Sequence, residues 1–196
     1  LVVAGVSVLS GTALAERTFP PEAIAQWEHH SFTGKTDYEL VTVDGRKAVR
    51  ATCDDGSASG LYLEEPIDLS ETPIIEWRWR VDSVYDGINE RSKEGDDFPA
   101  RIYAVHEPTW LRWQTRALNY VWASNEPEGS SWNNPFQSRA RMIAVASGAP
   151  ETNAQWQTVT RNLREDFKRH HGEAPEHIAA LAIMTDCDNH DGQTRA

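Results

Sequence analysis

From Ile74 to Asp82 apolar and charged side chains alternate. Ile75, Trp77, Trp79 and Val81 fall on one face of an extended segment, and Glu76, Arg78, Arg80 and Asp82 on the other. Such a strand has one packed face and one wet, ionic face, and belongs to a sheet that covers a core from one side. Similar β-rich runs recur along the chain. Residues 38–43 and 47–53 flank Asp44-Gly45, a strong hairpin signal. Runs at 61–63, 101–105, 117–123, 139–146, 156–160 and 178–185 bring the total to about nine strands, spaced as in a β-sandwich. Pro20 and Pro21 open one short helical turn. A longer helix is predicted at about residues 162–171: Asn162 is placed to cap it, Glu165 follows three residues on, Leu163 and Phe167 lie one turn apart, and Gly172 follows the basic end. It should pack at an end of the sandwich. Residues 83–97 and 125–138 read as surface loops.

Composition narrows the function classes. A chain of 196 residues with 8 Trp and 39% hydrophobic positions is one folded domain. Thirty acidic against 19 basic side chains give a net charge of -11, and no basic stripe offsets it, so a nucleic-acid partner is excluded. Residues 1–15 carry no charge and end Ala13-Leu14-Ala15 before Glu16-Arg17, the small-x-small pattern of a signal peptide. On that reading the chain lacks its true start, residues 16–196 form the mature domain, and the protein is periplasmic or secreted. An apolar strand or a membrane anchor would also account for the run. It is short for a span of about 20 residues, so no membrane span is expected in the mature chain.

Export would let Cys53 and Cys187 pair, closing a long loop worth about 4 kcal/mol in chain-entropy terms. Two buried free thiols are the alternative. With only two cysteines and no CxxC, a thiolate zinc site is not expected.

Several segments taken together resemble the domain-of-unknown-function 3047 (DUF3047) family of exported bacterial proteins. They are residues 32–38 (FTGKTDY), 57–61 (SASGL), 77–81 (WRWRV), 95–98 (GDDF), 117–124 (ALNYVWAS) and 183–186 (IMTD). The resemblance runs from about Trp27 to the C-terminus and implies a jelly-roll sandwich like those of carbohydrate-binding modules, with no activity attached. The expected fold is thus all-β: a jelly-roll-like antiparallel β-sandwich with one short helix. Where the family has Ser or Thr this chain has Cys53 and Cys187, which strengthens the case for a disulfide. The family usually continues with another strand, so Ala196 is expected to be a truncated end that leaves a sheet edge open.

Three polar clusters are candidates for chemistry. Asp96-Asp97, with Asp186, Asp188, Asn189 and Asp191, offers hard oxygen ligands, and Asp186, Asp188 and Asn189 are a candidate calcium site. A polar turn closing a strand explains the same residues more plainly. The second cluster is the ionic face of Arg78 and Arg80 with Asp96, Asp97 and Arg101, beside Asn119 and Tyr120. Guanidinium forks there would suit a carboxylate or sugar hydroxyls, although a cross-strand salt-bridge ladder is an ordinary alternative. Third, Trp110, Trp113 and Trp132 stand in polar, loop-like contexts where an exposed indole can stack on a sugar ring. Trp77 and Trp79 are expected in the core, as are Trp27, Trp122 and Trp156.

No GxSxG, HExxH or deaminase pattern is present. The pairs His29-His30 and His170-His171 suit solvent better than a shared metal. The resulting expectation is non-enzymatic binding of carbohydrate or another small polar ligand at Arg78, Arg80, Asp96, Asp97, Arg101, Asn119 and Tyr120. The alternatives are a hydrolase or lyase of envelope polysaccharide, with Asp96 or Asp97 as acid/base and Arg78 or Arg80 holding an acidic group, or a purely structural periplasmic domain.

Overall fold

The computed structural model describes residues 2–9, 16–54, 56–108, 114–150, 155–189 and 194–195. The chain opens with β1 (Val2–Leu9), β2 (Arg17–Phe19), the single turn α1 (Pro21–Ile24) and β3 (Glu28–Thr33). The hairpin β4 (Asp37–Val43) and β5 (Arg46–Cys53) follows, then β6 (Ala58–Leu63), β7 (Ile67–Asp68) and β8 (Ile74–Arg80). Next come β9 (Ala100–His106), β10 (Arg116–Ala123), β11 (Ser131–Asn133) and β12 (Ala140–Ser147). The order closes with β13 (Gln157–Asn162), the helix α2 (Leu163–His171), β14 (His177–Ile178), β15 (Ala180–Asp186) and β16 (Thr194–Arg195). Among the described residues no helix is long and apolar enough to cross a membrane.

These strands form two seven-stranded sheets and a small β14–β7 ladder. Sheet 1 runs β13-β8-β1-β5-β16, with β2 on β1 and β4 on β5; sheet 2 runs β11-β12-β10-β9-β15-β6-β3. The hairpin turn falls at Asp44-Gly45, where both residues take positive φ (51° and 74°), the conformation an Asp-Gly pair favours in a two-residue loop. Residues 2–9, read from sequence as part of a signal peptide, are extended here and pair with β2, β5 and β8. An apolar strand was the alternative reading of that run.

The antiparallel expectation needs one correction: β10 and β12 run parallel. After β10 the chain moves two strand positions out to form β11, then returns as β12 in the gap between them. It therefore runs in the same direction as β10.

The alternation at 74–82 places Ile75, Trp77, Trp79 and Val81 against sheet 2, in one cluster with Leu61, Ile102, Leu118, Tyr120, Trp122 and Ile183. Trp77 meets Tyr120 with ring centroids 5.3 Å apart, and Trp79 meets Trp122 at 5.9 Å. Aromatic rings of this size supply most of the buried area available to a core of this kind. Tyr120, expected to bind ligand, is corrected by this packing: it is 0% exposed and lies between the sheets. Its hydroxyl donates to Asp166 on α2 at 2.7 Å, and Arg161 clamps the same carboxylate with two further bonds at 2.8 and 2.7 Å.

Asn162 caps α2 by accepting from the Glu165 backbone N–H, and Gly172 ends the helix in the left-handed conformation. The helix buries Leu163 and Phe167 in the common core. A disulfide joins Cys53, at the end of β5, to Cys187, just after β15, and so ties sheet 1 to sheet 2.

Removing an indole from the inter-sheet layer should leave a cavity that neighbouring strands cannot close. Trp79→Ala is expected to lower unfolding free energy by about 3–5 kcal/mol. Arg78→Ala, one residue away on the exposed face, should change it by less than about 0.5 kcal/mol. Urea denaturation of the two variants checks the assignment of faces.

Candidate functional site

Strand register fixes which side chains share the outward face of sheet 2. Because Leu61, Ile102, Tyr120 and Ile183 point inward, their chain neighbours point out. One row across the strands reads Met142, Asn119, Tyr103, Ala182, Tyr62 and Glu28. The adjacent row reads Ala144, Val121, Arg101, Met184, Gly60 and His30.

Three rings make a strip along this face. His30 lies 5.0 Å from Tyr62, and Tyr62 lies 6.3 Å from Tyr103. His30 is exposed and the two tyrosines are partly so. Gly60 permits the arrangement, because a Cβ there would sit 2.9 Å from the Tyr62 ring and 2.7 Å from the Ile183 carbonyl oxygen. Burial pushes the Tyr103 phenol up to about 12 against the pull of Arg101, and burial raises Tyr62 as well. Both phenols are neutral hydrogen-bonding groups at ordinary pH.

A wall of buried polar groups stands at the Tyr103 end. Arg101 donates from Nε to Asp186 Oδ1 at 2.8 Å, and from one terminal nitrogen to both Asp186 Oδ2 and the Asp96 carbonyl. Its other terminal nitrogen reaches the Tyr103 hydroxyl at 3.3 Å and lies 3.6 Å from Asp96 Oδ2. The guanidinium also covers the Phe98 ring at 4.5 Å. Asn134 donates to Asp96 Oδ2 at 2.7 Å, and Asn119 donates to the Met142 sulfur at 3.2 Å. That leaves Asp96 Oδ1 and Asn119 Oδ1 buried without a hydrogen-bond partner. Unpaired acceptors in such a setting are costly and call for a partner.

The structure brings together Asp96, Asp97, Arg101 and Asn119 of the expected binding set, with Asp186. Arg78 and Arg80 are elsewhere, on the outward face of sheet 1. Arg80 pairs with Asp44 at 3.0 Å and Asp82 at 3.2 Å, while Arg78 lines a cleft of about 400 Å³ with Arg46, Lys47 and Glu76. The single ionic face expected from sequence is therefore two faces with the tryptophan layer between them.

Asp97, Asp186 and Asp188 each place an oxygen within 4.8 Å of the others. The candidate calcium set nevertheless fits poorly. Asp186 commits both oxygens to Arg101, and Asn189 turns its N–H groups toward Asp97 at 3.1 Å. A dication needs oxygen donors on all sides, whereas here a guanidinium neutralises the acids.

Trp132, expected to be exposed, is 5% exposed, stacks on Phe98 and donates its indole N–H to the Glu90 carbonyl at 3.1 Å. Trp110, Trp113 and Asp191 lie outside the described residues. Sequence reasoning missed Tyr62, Tyr103, His30 and Asn134. Tyr103 stands two residues from Arg101 in one strand, a spacing that puts both on the same face, and that signal was present.

A family model for a protein of unknown function, DUF3047, matches residues 25–196. The chain belongs to the DUF3047 family. No curated protein matches it. The match covers both rows of the outward face in this DUF3047 chain and the wall beside them.

Burial raises the pKa of Asp96, with Asp97 adding to the effect and Arg101 and Asn134 opposing it. The folded DUF3047 protein therefore keeps this proton at pH values where the unfolded chain has lost it. Stability linked to Asp96 is complete below the ordinary value of 3.8 and fades as pH rises through the folded value. Asp96→Asn removes that dependence. The difference in urea midpoint between variant and parent should move in favour of the variant from about pH 4 to about pH 8; a constant difference would show that Asp96 is not held in its protonated form.

Proposed function

We propose that this DUF3047 protein is an exported, non-enzymatic jelly-roll sandwich that binds carbohydrate or a similar polar cell-envelope ligand on the outward face of sheet 2. The observation that carries the reading is the partly exposed strip of His30, Tyr62 and Tyr103 ending at the polar wall of Arg101, Asp96, Asn119 and Asn134. Sugar rings present an apolar face that aromatic rings cover and a rim of hydroxyls that phenols, amides and guanidinium groups satisfy. The strip and the wall supply both in adjacent positions. Export is supported by the disulfide, which suits an oxidising compartment.

A hydrolase or lyase pairing Asp96 or Asp97 with Arg78 or Arg80 has no geometric basis, because those residues occupy opposite outer faces. The carboxylates near the strip are themselves engaged by Arg101, Asn134 and Asn189.

A glycan array followed by calorimetry tests the proposal. A bound glycan should lose about tenfold or more in affinity on Tyr62→Ala or Tyr103→Ala, with Arg78→Ala unchanged. Absence of any bound glycan, or tyrosine variants that bind like the parent, would leave a structural domain as the answer.

A further inference from the structure

Where the edge strand β13 of sheet 1 comes beside β12 of sheet 2, the molecule holds a second cleft, of about 320 Å³. This volume is at the small end of the roughly 300–1,000 Å³ range typical of small-molecule sites, and is too large for a bare inorganic anion. Val145 and Val159 give it apolar lining, Ser131 gives a hydroxyl, Arg161 and Arg169 give positive charge, and Glu128 is the one acid in the lining.

On a chain with a net charge of -11, this concentration of basic groups is notable for its origin. Arg161 comes from β13 and Arg169 from the last turn of α2, so two elements converge. Arg161 uses Nε and one terminal nitrogen on Asp166 and lies over the Tyr120 ring at 5.6 Å, which fixes its guanidinium. Arg169 is exposed and takes part in no ion pair among the described residues. Burial lowers the pKa of His170, and the nearby Arg141, Arg169 and His171 add to that effect while Asp166 opposes it. The local field therefore already repels added positive charge. Basic residues in the last turn also offset the helix dipole, but that role requires neither Arg161 nor the cleft.

We propose that this cleft binds one anionic sugar unit, a hexuronate, with its carboxylate held by the exposed Arg169 beside the guanidinium of Arg161 and a hydroxyl held by Ser131. Guanidinium forks match a carboxylate, and the valine lining matches the apolar face of a pyranose ring. The site is separate from the aromatic strip and does not depend on it.

Two-dimensional amide NMR titration at matched ionic strength tests the proposal, using sodium D-glucuronate, D-glucose and inorganic phosphate as probes. Glucuronate should shift the amides of Thr160, Arg161 and His170 and saturate, with glucose and phosphate about tenfold weaker. Arg169→Gln should weaken glucuronate by about tenfold, the effect of losing one charge-assisted contact. Tyr103→Ala should leave this titration unchanged, so failure of the strip and failure of the cleft are distinguishable. Glucuronate that shifts none of these amides, glucose or phosphate that binds as tightly, or an unchanged Arg169→Gln titration would each overturn the assignment.

Discussion

The side chain of Arg101 is 3% exposed on the outward side of sheet 2, and a charge so placed persists only when it is paired and its donors are filled. Asp186 accepts from two of its nitrogens, the Asp96 carbonyl shares one of these, the Tyr103 hydroxyl takes the third, and the Phe98 ring covers the plane. These contacts join β9 to β15 and fix the segment 96–98 above the sheet. The Phe98 backbone N–H also donates to Asp186 at 3.1 Å, so one carboxylate serves both the guanidinium and the loop that covers it.

The neighbouring structure follows from that loop position. Phe98 packs with Trp132, Met142, Val121 and Ala144 in a second apolar cluster on the face opposite the main core. Glu90 accepts from the backbone N–H groups of Ser124, Asn125 and Glu126, which fastens the 83–97 loop to the end of β10. Tyr85 donates to the Asp186 carbonyl at 2.6 Å and packs beside the Cys53–Cys187 disulfide. Part of the outward face of sheet 2 is thereby covered, and the remainder, from Tyr103 to His30, stays accessible. The open strip owes its polar boundary to the buried arginine.

Local patterns in the chain were legible where a single element decided the outcome. Alternation at 74–82 identified the buried face of β8, Asp44-Gly45 marked the hairpin, and Asn162, Glu165 and Gly172 bounded α2, because each signal depends on neighbours in sequence. β3 escaped, since Glu28–Thr33 is polar apart from the exposed Phe32 and pairs with β6 from a sheet edge. The parallel direction of β12 escaped because β11 and β12 change places in the sheet order. In the site, Asp96, Asp97, Arg101 and Asn119 were recognisable as polar residues beside strands. Alternation assigns a side chain to a face of its own strand and does not tell which sheet that strand joins, so Arg78 and Arg80 were grouped with them. Tyr120 was avoidable: as the chain neighbour of Asn119 in a strand it must face the other way. The burial of Trp132 depends on a loop distant in sequence, which no local pattern reveals.

A double-mutant cycle on Arg101 and Asp186 tests the central dependence most directly. Arg101→Met and Asp186→Leu should each cost about 3 kcal/mol or more of unfolding free energy, because each takes from a buried group its doubly bonded counter-charge. The double variant should lose less than the sum of the two single losses, since it removes both members of the closest buried pair together. Additive losses, or single variants as stable as the parent, would contradict the account.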